Sequence, residues 1–301
     1  MTLLAPICLF VYKRLDLTKK TVTALLDNLY SKESELFIFS DAAKDENDIL
    51  HVNEVRNYIN TIEGFKKVHI INRENNLGLA ESIIKGVTEI INAYGKVIVL
   101  EDDLITSKYF LQFMNEGLEK FENENRVISI HGYVYPIKNK LPETFFLKGT
   151  DCWGWATWKD QWDTFEKDGK VLLNKLKEKK LSYYFDYNGT TNNIKMLKRQ
   201  INGEINSWAI RWHASAFLQN KLTLNPGKSL VKNIGVSGDS THMKKTLIYD
   251  TDIYQKPIEL INIPIEENIL VKKEIEKFFI SIKPNFIKRY YKKIKFLLGN
   301  Y

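Results

Sequence analysis

The stretch Gly95-Lys-Val-Ile-Val-Leu-Glu-Asp-Asp-Leu104 is the most informative segment of this 301-residue sequence. Its apolar run, residues 97–100, is bounded by a glycine and by charge, and it predicts a strand buried on both faces. Three acids follow directly: Glu101, Asp102 and Asp103. Adjacent carboxylates repel one another, and Mg²⁺ or Mn²⁺ relieves this because both metals prefer carboxylate and phosphate oxygens. The segment therefore predicts a metal site; the alternative is a solvated acidic turn before a helix near Ser107.

Three more apolar runs precede this segment, and polar residues follow each of them. The runs are residues 6–12, 36–39 and 67–71. Helical spacing of apolar residues predicts a helix over 19–30, with Thr18 as its N-cap, and another over 79–93. Strands that alternate with helices predict parallel βαβ units and a sheet covered on both faces. The ligand crevice of such a sheet lies beyond the carboxyl ends of its strands, which is where these polar residues gather.

This order of elements resembles the glycosyltransferases of the GT-A fold. The matching residues are, strand by strand, Arg14, Ser40-Asp41, Asn76-Leu-Gly78 and Glu101-Asp-Asp103, the last at the position of the DxD motif. Further blocks extend the likeness to residue 242: Cys152-Trp-Gly-Trp-Ala-Thr-Trp158, Ile205-Asn-Ser-Trp-Ala-Ile-Arg-Trp212, Leu230-Val-Lys-Asn-Ile-Gly235 and Asp239-Ser-Thr-His242. These blocks are similar to family 2-like bacterial transferases of surface-polysaccharide loci and, more distantly, to the N-acetylglucosaminyltransferase I type. The resemblance implies an α/β GT-A fold: a Rossmann-like, mostly parallel central sheet with helices on both faces, and a C-terminal helical tail.

The resemblance also implies an activity. It is the metal-dependent, inverting transfer of a hexose or N-acetylhexosamine from a nucleotide sugar to a saccharide or lipid-linked saccharide, in surface-polysaccharide biosynthesis. A UDP-linked donor is expected in preference to a GDP-linked donor. Asp103 is implied as the direct metal ligand and His242 as the second, while Glu101 and Asp102 assist through the ribose or metal-bound waters. Imidazole suits Mn²⁺ better than Mg²⁺, so Mn²⁺ is the expected cofactor and Mg²⁺ the alternative. His242 could instead cap a loop.

Four side chains are implied as contacts of the donor nucleotide: Arg14, Asp41, Asn76 and Ser82. The guanidinium fork of Arg14 suits a phosphate or a base carbonyl, and Asp41 can accept from the N–H of a uracil-type base. The alternative for Arg14 is an ordinary salt bridge with Asp16 or Asp41.

The middle of the chain is expected to build the acceptor side. Residues 129–136 predict a strand that runs into a loop, in which His131 is either a pocket residue or an ordinary strand histidine. Sugars stack their C–H faces on aromatic rings, but tryptophans also fill cores. We expect acceptor contacts from His131, Trp153, Trp155 and Trp208, with the other tryptophans buried.

The general base is the hardest role to assign. Inverting enzymes of this fold use a carboxylate in the acceptor half, whereas Ile205-Asn-Ser-Trp208 carries no acid at the matching positions. Asp151, which leads the Trp-rich loop, and Glu204 are the carboxylates nearby, and Asp151 is favoured. A retaining reaction without a dedicated base is the alternative.

Composition sets the domain organisation. With 44% hydrophobic residues the chain supports one large domain, expected over 1–270, with a nucleotide-sugar half of about 1–105 and an acceptor half of about 106–270. Two cysteines do not suggest a disulfide framework. The first residues lack the features of a secretory signal, and no apolar run approaches the roughly 20 residues that span a bilayer. We therefore expect a cytoplasmic protein.

Residues 271–301 form a basic, aromatic-rich tail in a chain of net charge +7. A basic amphipathic helix predicts a peripheral contact with the anionic inner face of the cytoplasmic membrane. The alternative is a helix packed on the body with a solvated lysine face. Nucleic acid is not an expected partner, since a single terminal helix without a recognisable binding fold is weak evidence.

Two other function classes remain open. A nucleotidyltransferase that makes the activated sugar would carry a glycine-rich phosphate loop after its first strand, and Tyr12-Lys-Arg-Leu-Asp16 contains no glycine. A non-catalytic carbohydrate-binding protein would explain the tryptophans but not three acids at the end of a strand.

Overall fold

The computed structural model describes residues 3–235 and 247–284. The first elements are β1 (Ile7–Val11), α1 (Leu15–Leu26), β2 (Glu35–Ser40), α2 (Glu46–Ile59), β3 (Lys67–Asn72), α3 (Gly78–Tyr94) and β4 (Lys96–Glu101). The middle elements are β5 (Leu104–Thr106), α4 (Phe110–Lys120), β6 (Val127–His131), β7 (Thr144–Lys148), β8 (Trp155–Trp158), α5 (Lys159–Trp162) and α6 (Gly169–Glu178). The last are α7 (Ser182–Phe185), α8 (Asn193–Ile201), α9 (Trp208–Leu218), β9 (Leu222–Pro226), β10 (Val231–Asn233) and α10 (Ile269–Ser281).

Eight of the described strands form one sheet in the order β3-β2-β1-β4-β8-β6-β9-β7. The pairs β2–β3, β1–β2, β1–β4 and β6–β9 are parallel, whereas β8 runs antiparallel to both of its neighbours. The first four strands are the apolar runs of the nucleotide half, and their parallel order follows from the helices between them. The mostly parallel α/β sheet expected from the sequence is confirmed. The division of the domain near residue 105 stays a prediction.

Helices cover both faces of this sheet. Along β1, Ile7, Leu9 and Val11 belong to one hydrophobic core, while Cys8 and Phe10 belong to another, as the alternation of a strand requires. The first core takes its helical residues from α1, α2 and α4, and the second takes them from α3, α5 and α9. Both faces are therefore dry, which explains why β1 and residues 97–100 of β4 are apolar without interruption.

The first helix differs from its prediction at both ends. It begins at Leu15 rather than at Lys19, because residue 14 already occupies the N-cap position. Thr18 is fully buried, and its hydroxyl donates to the Arg14 carbonyl at 2.9 Å instead of capping the helix. The helix ends at Leu26, and Tyr30 has a φ of 74°, in the left-handed region that a helix cannot continue.

The Trp-rich block contains a strand that the sequence reasoning treated as loop. Residues 155–158 form β8, which lies between β4 and β6 and joins the two halves in one sheet. Trp155 pairs with Val99 of β4 on one side and with His131 of β6 on the other. The segment that precedes β8, residues 151–154, therefore lies beside the carboxyl end of β4.

The C-terminal helix expected from the sequence is present as α10. Residues 285–301 of the basic tail lie outside the described residues, so its membrane contact stays a prediction. Within the described ranges, no helix combines the length and the hydrophobicity that crossing a bilayer would need.

Candidate active site

The acids at the end of β4 face one guanidinium. Asp102 and Asp103 follow the strand directly, and Arg14, at the start of α1, forms ion pairs with both. The distance from Arg14 Nη1 to Asp103 Oδ2 is 2.9 Å. Arg14 therefore does not form the alternative salt bridge with Asp16 or Asp41. We refer to Glu101, Asp102 and Asp103 together with Arg14 as the acid cluster.

Backbone contacts fix the acid cluster from two sides. The Thr21 hydroxyl of α1 donates to the Asp102 carbonyl at 2.9 Å, and the Ile234 N–H donates to the Asp103 carbonyl at 2.8 Å. Gly235 lies so close that a Cβ on it would overlap Asp103 Oδ2 and stand 3.0 Å from Arg14 Nη1. The segment after β10 thus closes on the carboxylates. His242 follows seven residues later and lies outside the described residues.

Charge in the acid cluster is not balanced. Burial, followed by the neighbouring Asp103 and Asp102, raises the pKa of Glu101 well above its usual value. Burial also raises the pKa of Asp102, although Arg14 opposes the shift. Arg14, which pairs with Asp102 and Asp103, only partly offsets the repulsion among the three acids. Among the described residues no group of three or more His, Cys, Asp or Glu is arranged to hold a metal. Metal binding by Asp103 and His242 stays a prediction.

Asp41 holds the start of α3 in place. Its carboxylate accepts from the N–H groups of Ala42, Leu77 and Gly78 at 3.0, 2.9 and 2.8 Å. A carboxylate offers about four acceptor positions, so three amides leave little of it for a nucleotide base. Asn76 supports the same turn, because its amide donates to the Ala42 carbonyl at 2.7 Å. Ser82 is buried in α3. The structure shows Asp41 and Asn76 as supports of the rim, and the nucleotide contacts of all three residues stay predictions.

A cavity of about 230 Å³ lies in the acceptor half. Its lining combines strands β6 and β7, the loop 149–152 and helices α8, α9 and α10. Asp151 and His131, both expected from the sequence, are brought together there. Asp151 Oδ1 accepts from the Cys152 N–H at 2.8 Å, and Oδ2 accepts from the Tyr135 hydroxyl at 3.1 Å. These two donors orient the carboxylate in the cavity.

Three residues expected to act on the acceptor do not line this cavity, and their roles stay predictions. Glu204 is half exposed and forms an ion pair with Arg199 at 3.1 Å. Trp155 and Trp208 are 1% and 3% exposed and stack on each other in the core. The same core cluster contains Trp162 and Trp212.

Trp153 remains partly exposed, unlike the two core tryptophans. Its ring packs edge-on against Tyr133, with centroids 4.6 Å apart, and against Tyr249 at 6.1 Å. Its role at the acceptor stays a prediction.

The sequence reasoning missed His213, which lines the cavity from α9. Ala209, also in the lining, precedes it by four residues, and side chains at this spacing share one helix face. The block Ile205–Trp212 ended one residue short of it. Helical spacing of the residues that follow Trp208, where α9 begins, was a signal that could have found His213.

Solved structures resemble the chain only distantly. The mannosyltransferase PcManGT from Pyrobaculum calidifontis, solved with GDP-Man and Mn²⁺, is 14% identical over 44% of this chain and 36% of that chain, with a TM-score of 0.34. TarS from S. aureus is 14% identical over 46% of this chain and 23% of that chain, with a TM-score of 0.31. The chain thus spans about a third and a quarter of these two proteins. At such TM-scores the likeness carries no argument about function.

No protein of curated function matches the sequence significantly. The family model described as "Glycosyl transferase family 2" matches residues 7–196, well over half of the chain. The match begins with β1, includes the acid cluster and Asp151, and ends before α9. The chain therefore belongs to glycosyl transferase family 2.

Proposed function

We propose that this glycosyltransferase binds the diphosphate of a nucleotide sugar at the acid cluster and receives a saccharide acceptor in the cavity beside Asp151. One observation carries the proposal. Strand β8 pairs with β4, which ends in the acids, and with β6, which ends at His131 in the cavity. A donor sugar at the acids and an acceptor hydroxyl at Asp151 would therefore be neighbours across the start of β8.

Arg14 and the acids supply the donor side of this reaction. The Arg14 guanidinium is a charge-assisted donor suited to phosphate oxygens, and its present partners fix its position. Asp103, with His242 as the second ligand, would hold Mn²⁺ or Mg²⁺. Such a cation, when bound, stabilises the departing diphosphate as a Lewis acid. Asp41 and Asn76 act indirectly, since they fix the rim at the start of α3.

Asp151 is the proposed general base. Its carboxylate would take the proton of the acceptor hydroxyl while that oxygen attacks the anomeric carbon of the donor, with inversion. The Tyr135 hydroxyl and the Cys152 N–H keep the carboxylate oriented without neutralising it. Asn206 stands where related sequences carry an acid. The position of Asp151 in the cavity supports a base from the loop that precedes β8 instead.

The proposal also includes the donor, the acceptor and the membrane contact that the sequence implies. The proposed donor is a UDP-linked sugar, with a GDP-linked sugar as the alternative. The proposed acceptor is a saccharide or a lipid-linked saccharide of a surface polysaccharide. A peripheral membrane contact through the basic tail would suit a lipid-linked acceptor. Family membership favours transfer over the nucleotidyltransferase alternative, and a carbohydrate-binding protein without activity is the remaining competitor.

A thermal-shift screen tests the donor assignment. The wild-type chain is heated with UDP or GDP, in the presence of Mn²⁺, of Mg²⁺ or of EDTA. Binding to the folded state raises the melting temperature, so we expect stabilisation by nucleotide with metal and none with EDTA. The D103A variant should lose this response. Stabilisation by free saccharides alone, with no response to any nucleotide, would favour the carbohydrate-binding protein.

A further inference from the structure

Helix α10 lies outside the family match, which ends at residue 196, yet it contributes to the lining of the cavity beside Asp151. Val271 and Ile275 are buried in a core cluster with residues of β7 and of the segment after β6. Ile275 and Phe279 also line the cavity. A helix that the family match does not include therefore borders the proposed general base.

Tyr135 connects α10 to the carboxylate of Asp151. The centroid of its ring lies 5.5 Å from that of Phe278 and 5.0 Å from that of Phe279, both in α10. Its hydroxyl donates to Asp151 Oδ2 at 3.1 Å. Burial, and then the charge of Asp151, raise the pKa of this hydroxyl well above its ordinary value, so it stays protonated as a donor. Because two rings of α10 pack against Tyr135, the position of the helix sets where the hydroxyl meets the carboxylate.

A buried ion pair fixes the register of α10. Lys272 and Glu276 are 5% and 6% exposed, and Lys272 Nζ lies 2.5 Å from Glu276 Oε1. The amide of Asn188 donates to the same oxygen at 2.7 Å. The Lys272 ammonium also lies 4.9 Å from the ring centroid of Tyr184 and 5.8 Å from that of Tyr187. We call Lys272, Glu276 and Asn188 the ion-pair network.

The ion-pair network meets the body at a turn with an unusual backbone. Tyr187, Asn188 and Gly189 follow one another with φ values of 47°, 53° and 76°, in the left-handed region that only glycine adopts without cost. Lys283, just after α10, donates to the Gly189 carbonyl at 3.1 Å. Tyr187 lines the cavity, and its ring centroid lies 5.9 Å from that of Phe279. Strained residues persist only where their surroundings hold them, so α10 also holds this wall of the cavity.

The alternative is that α10 only completes the hydrophobic core of the acceptor half. Val271 and Ile275 serve that purpose, and apolar residues in place of Lys272 and Glu276 would serve it equally well, because a buried ion pair is seldom more stabilising than apolar residues of its size. A buried pair differs in that a shift of the helix would leave a charge without its partner. The ion-pair network therefore favours one position of α10 over its neighbours.

We propose that α10 is a positioning element of the transfer reaction. Phe278 and Phe279 hold Tyr135 so that its hydroxyl orients Asp151, and the ion-pair network keeps the helix in the register that this contact requires. The role of Asp151 as the base rests on the proposed function, whereas the dependence of Tyr135 on α10 does not.

Fluorine NMR of the full chain, labelled with 3-fluorotyrosine, tests this dependence without substrate. Y135F identifies the Tyr135 signal by its loss. The double variant K272M/E276L replaces the buried pair by apolar residues and removes no aromatic ring, so a change of the Tyr135 signal would report a change at Tyr135 itself. We expect that signal to shift or broaden, while the melting temperature stays close to that of the wild type. K159M/D163L, which replaces an exposed pair of the same spacing, should change neither.

Transfer by the same variants tests the consequence for the reaction. K272M/E276L should lower kcat about 10-fold or more, because a misplaced base loses its alignment with the acceptor hydroxyl. The KM for the nucleotide sugar should not change, since the proposed donor site lies at the acid cluster. F278A should lower kcat as well, and F278Y, which keeps the ring, should recover it. In a Y135F background K272M/E276L should have no further effect, because both changes act on the same contact.

The two sets of measurements separate failure of this proposal from failure of the proposed function. An unchanged Tyr135 signal in K272M/E276L, normal transfer by that variant, or losses of transfer that multiply with the loss in Y135F would each overturn the proposal. A merely structural helix would give the last result, since lost folding lowers the rate equally in both backgrounds. Normal transfer by D151N, with a Tyr135 signal that responds to K272M/E276L, would instead reject the proposed base and leave the dependence of Tyr135 on α10 intact.

Discussion

The acid cluster and the cavity beside Asp151 lie on either side of β8 and differ in what a ligand would meet. In the acid cluster Arg14 already pairs with Asp102 and Asp103. In the cavity, about 230 Å³ of space lies between strands and helices of the acceptor half. A ligand must therefore displace existing contacts at the first site, whereas it enters an existing space at the second.

This difference predicts different responses to ligand. Binding at the acid cluster exchanges one cation for another, so affinity there should depend on metal and on ionic strength. Binding in the cavity beside Asp151 fills a space whose walls are already formed, so it should need no metal. The variants below separate the two regions, in order of decreasing effect.

The largest effect is expected at Asp103. Replacing it by alanine removes the proposed metal ligand, and we expect transfer to be abolished, measured as nucleotide release with donor and acceptor. EDTA should inhibit the wild type, and Mn²⁺ should restore it. The fold should survive because Arg14 keeps Asp102 as a partner. D163A, which removes an exposed carboxylate of the 159–163 ion pair, is the control. Full activity of D103A in EDTA would remove the metal from the mechanism.

Asp151 should come next. D151N preserves the shape: its Oδ1 still accepts from the Cys152 N–H, and the Tyr135 hydroxyl can rotate to accept from Nδ2. Basicity is lost, so transfer should fall about 10²-fold or more. Nucleotide binding, read by thermal shift, should not change. E204Q is the matched control, because Glu204 is bound to Arg199 at the surface, and its activity should stay near that of the wild type. If D151N also transfers normally, a retaining reaction gains support. The anomeric configuration of the product then distinguishes retention from inversion.

A variant of Arg14 tests whether the guanidinium and a metal ion compete for the same carboxylates. R14Q removes the guanidinium that competes with a metal for Asp102 and Asp103, so Mn²⁺ should bind about 10-fold more tightly, as measured by electron paramagnetic resonance. Transfer should still fall, since the proposed phosphate contact is lost. K13Q is the control: Lys13 is adjacent in sequence but pairs with Asp48 at 2.6 Å. Unchanged Mn²⁺ affinity in R14Q would show that Arg14 and the metal occupy separate positions.

The two regions also differ in how well the sequence predicted them. The acid cluster was predictable because a buried strand and its terminal acids are adjacent in the chain. The contacts that saturate Asp41 were not, since Asp41 meets Leu77 and Gly78 only after α2 and β3 have intervened. Tryptophan composition could not separate core from surface, and Trp155 and Trp208 lie in the core. The hydrogen bond between His213 and Thr150 needed the fold, because the two residues are 63 positions apart.

The last expected effect is on stability alone and concerns Gly149. Alanine there meets two costs: its φ of 86° and the collision of a Cβ with the His213 ring. Gly203 isolates the first, because it has a φ of 74° and no atom within 4 Å of the position of a Cβ. We expect G203A to lower the free energy of unfolding by about 1–2 kcal/mol. G149A should lower it by about 1–3 kcal/mol more, through overpacking of the ring.

Chemical denaturation of both variants measures this difference, and the double variant G149A/H213A tests its cause. Removing the ring should remove the collision, so alanine at 149 should then cost no more than it does at 203. Mn²⁺ binding at the acid cluster should not change in G149A. Equal stability of G149A and G203A would mean that His213 yields without cost, and the ring would then not be held in place by Gly149.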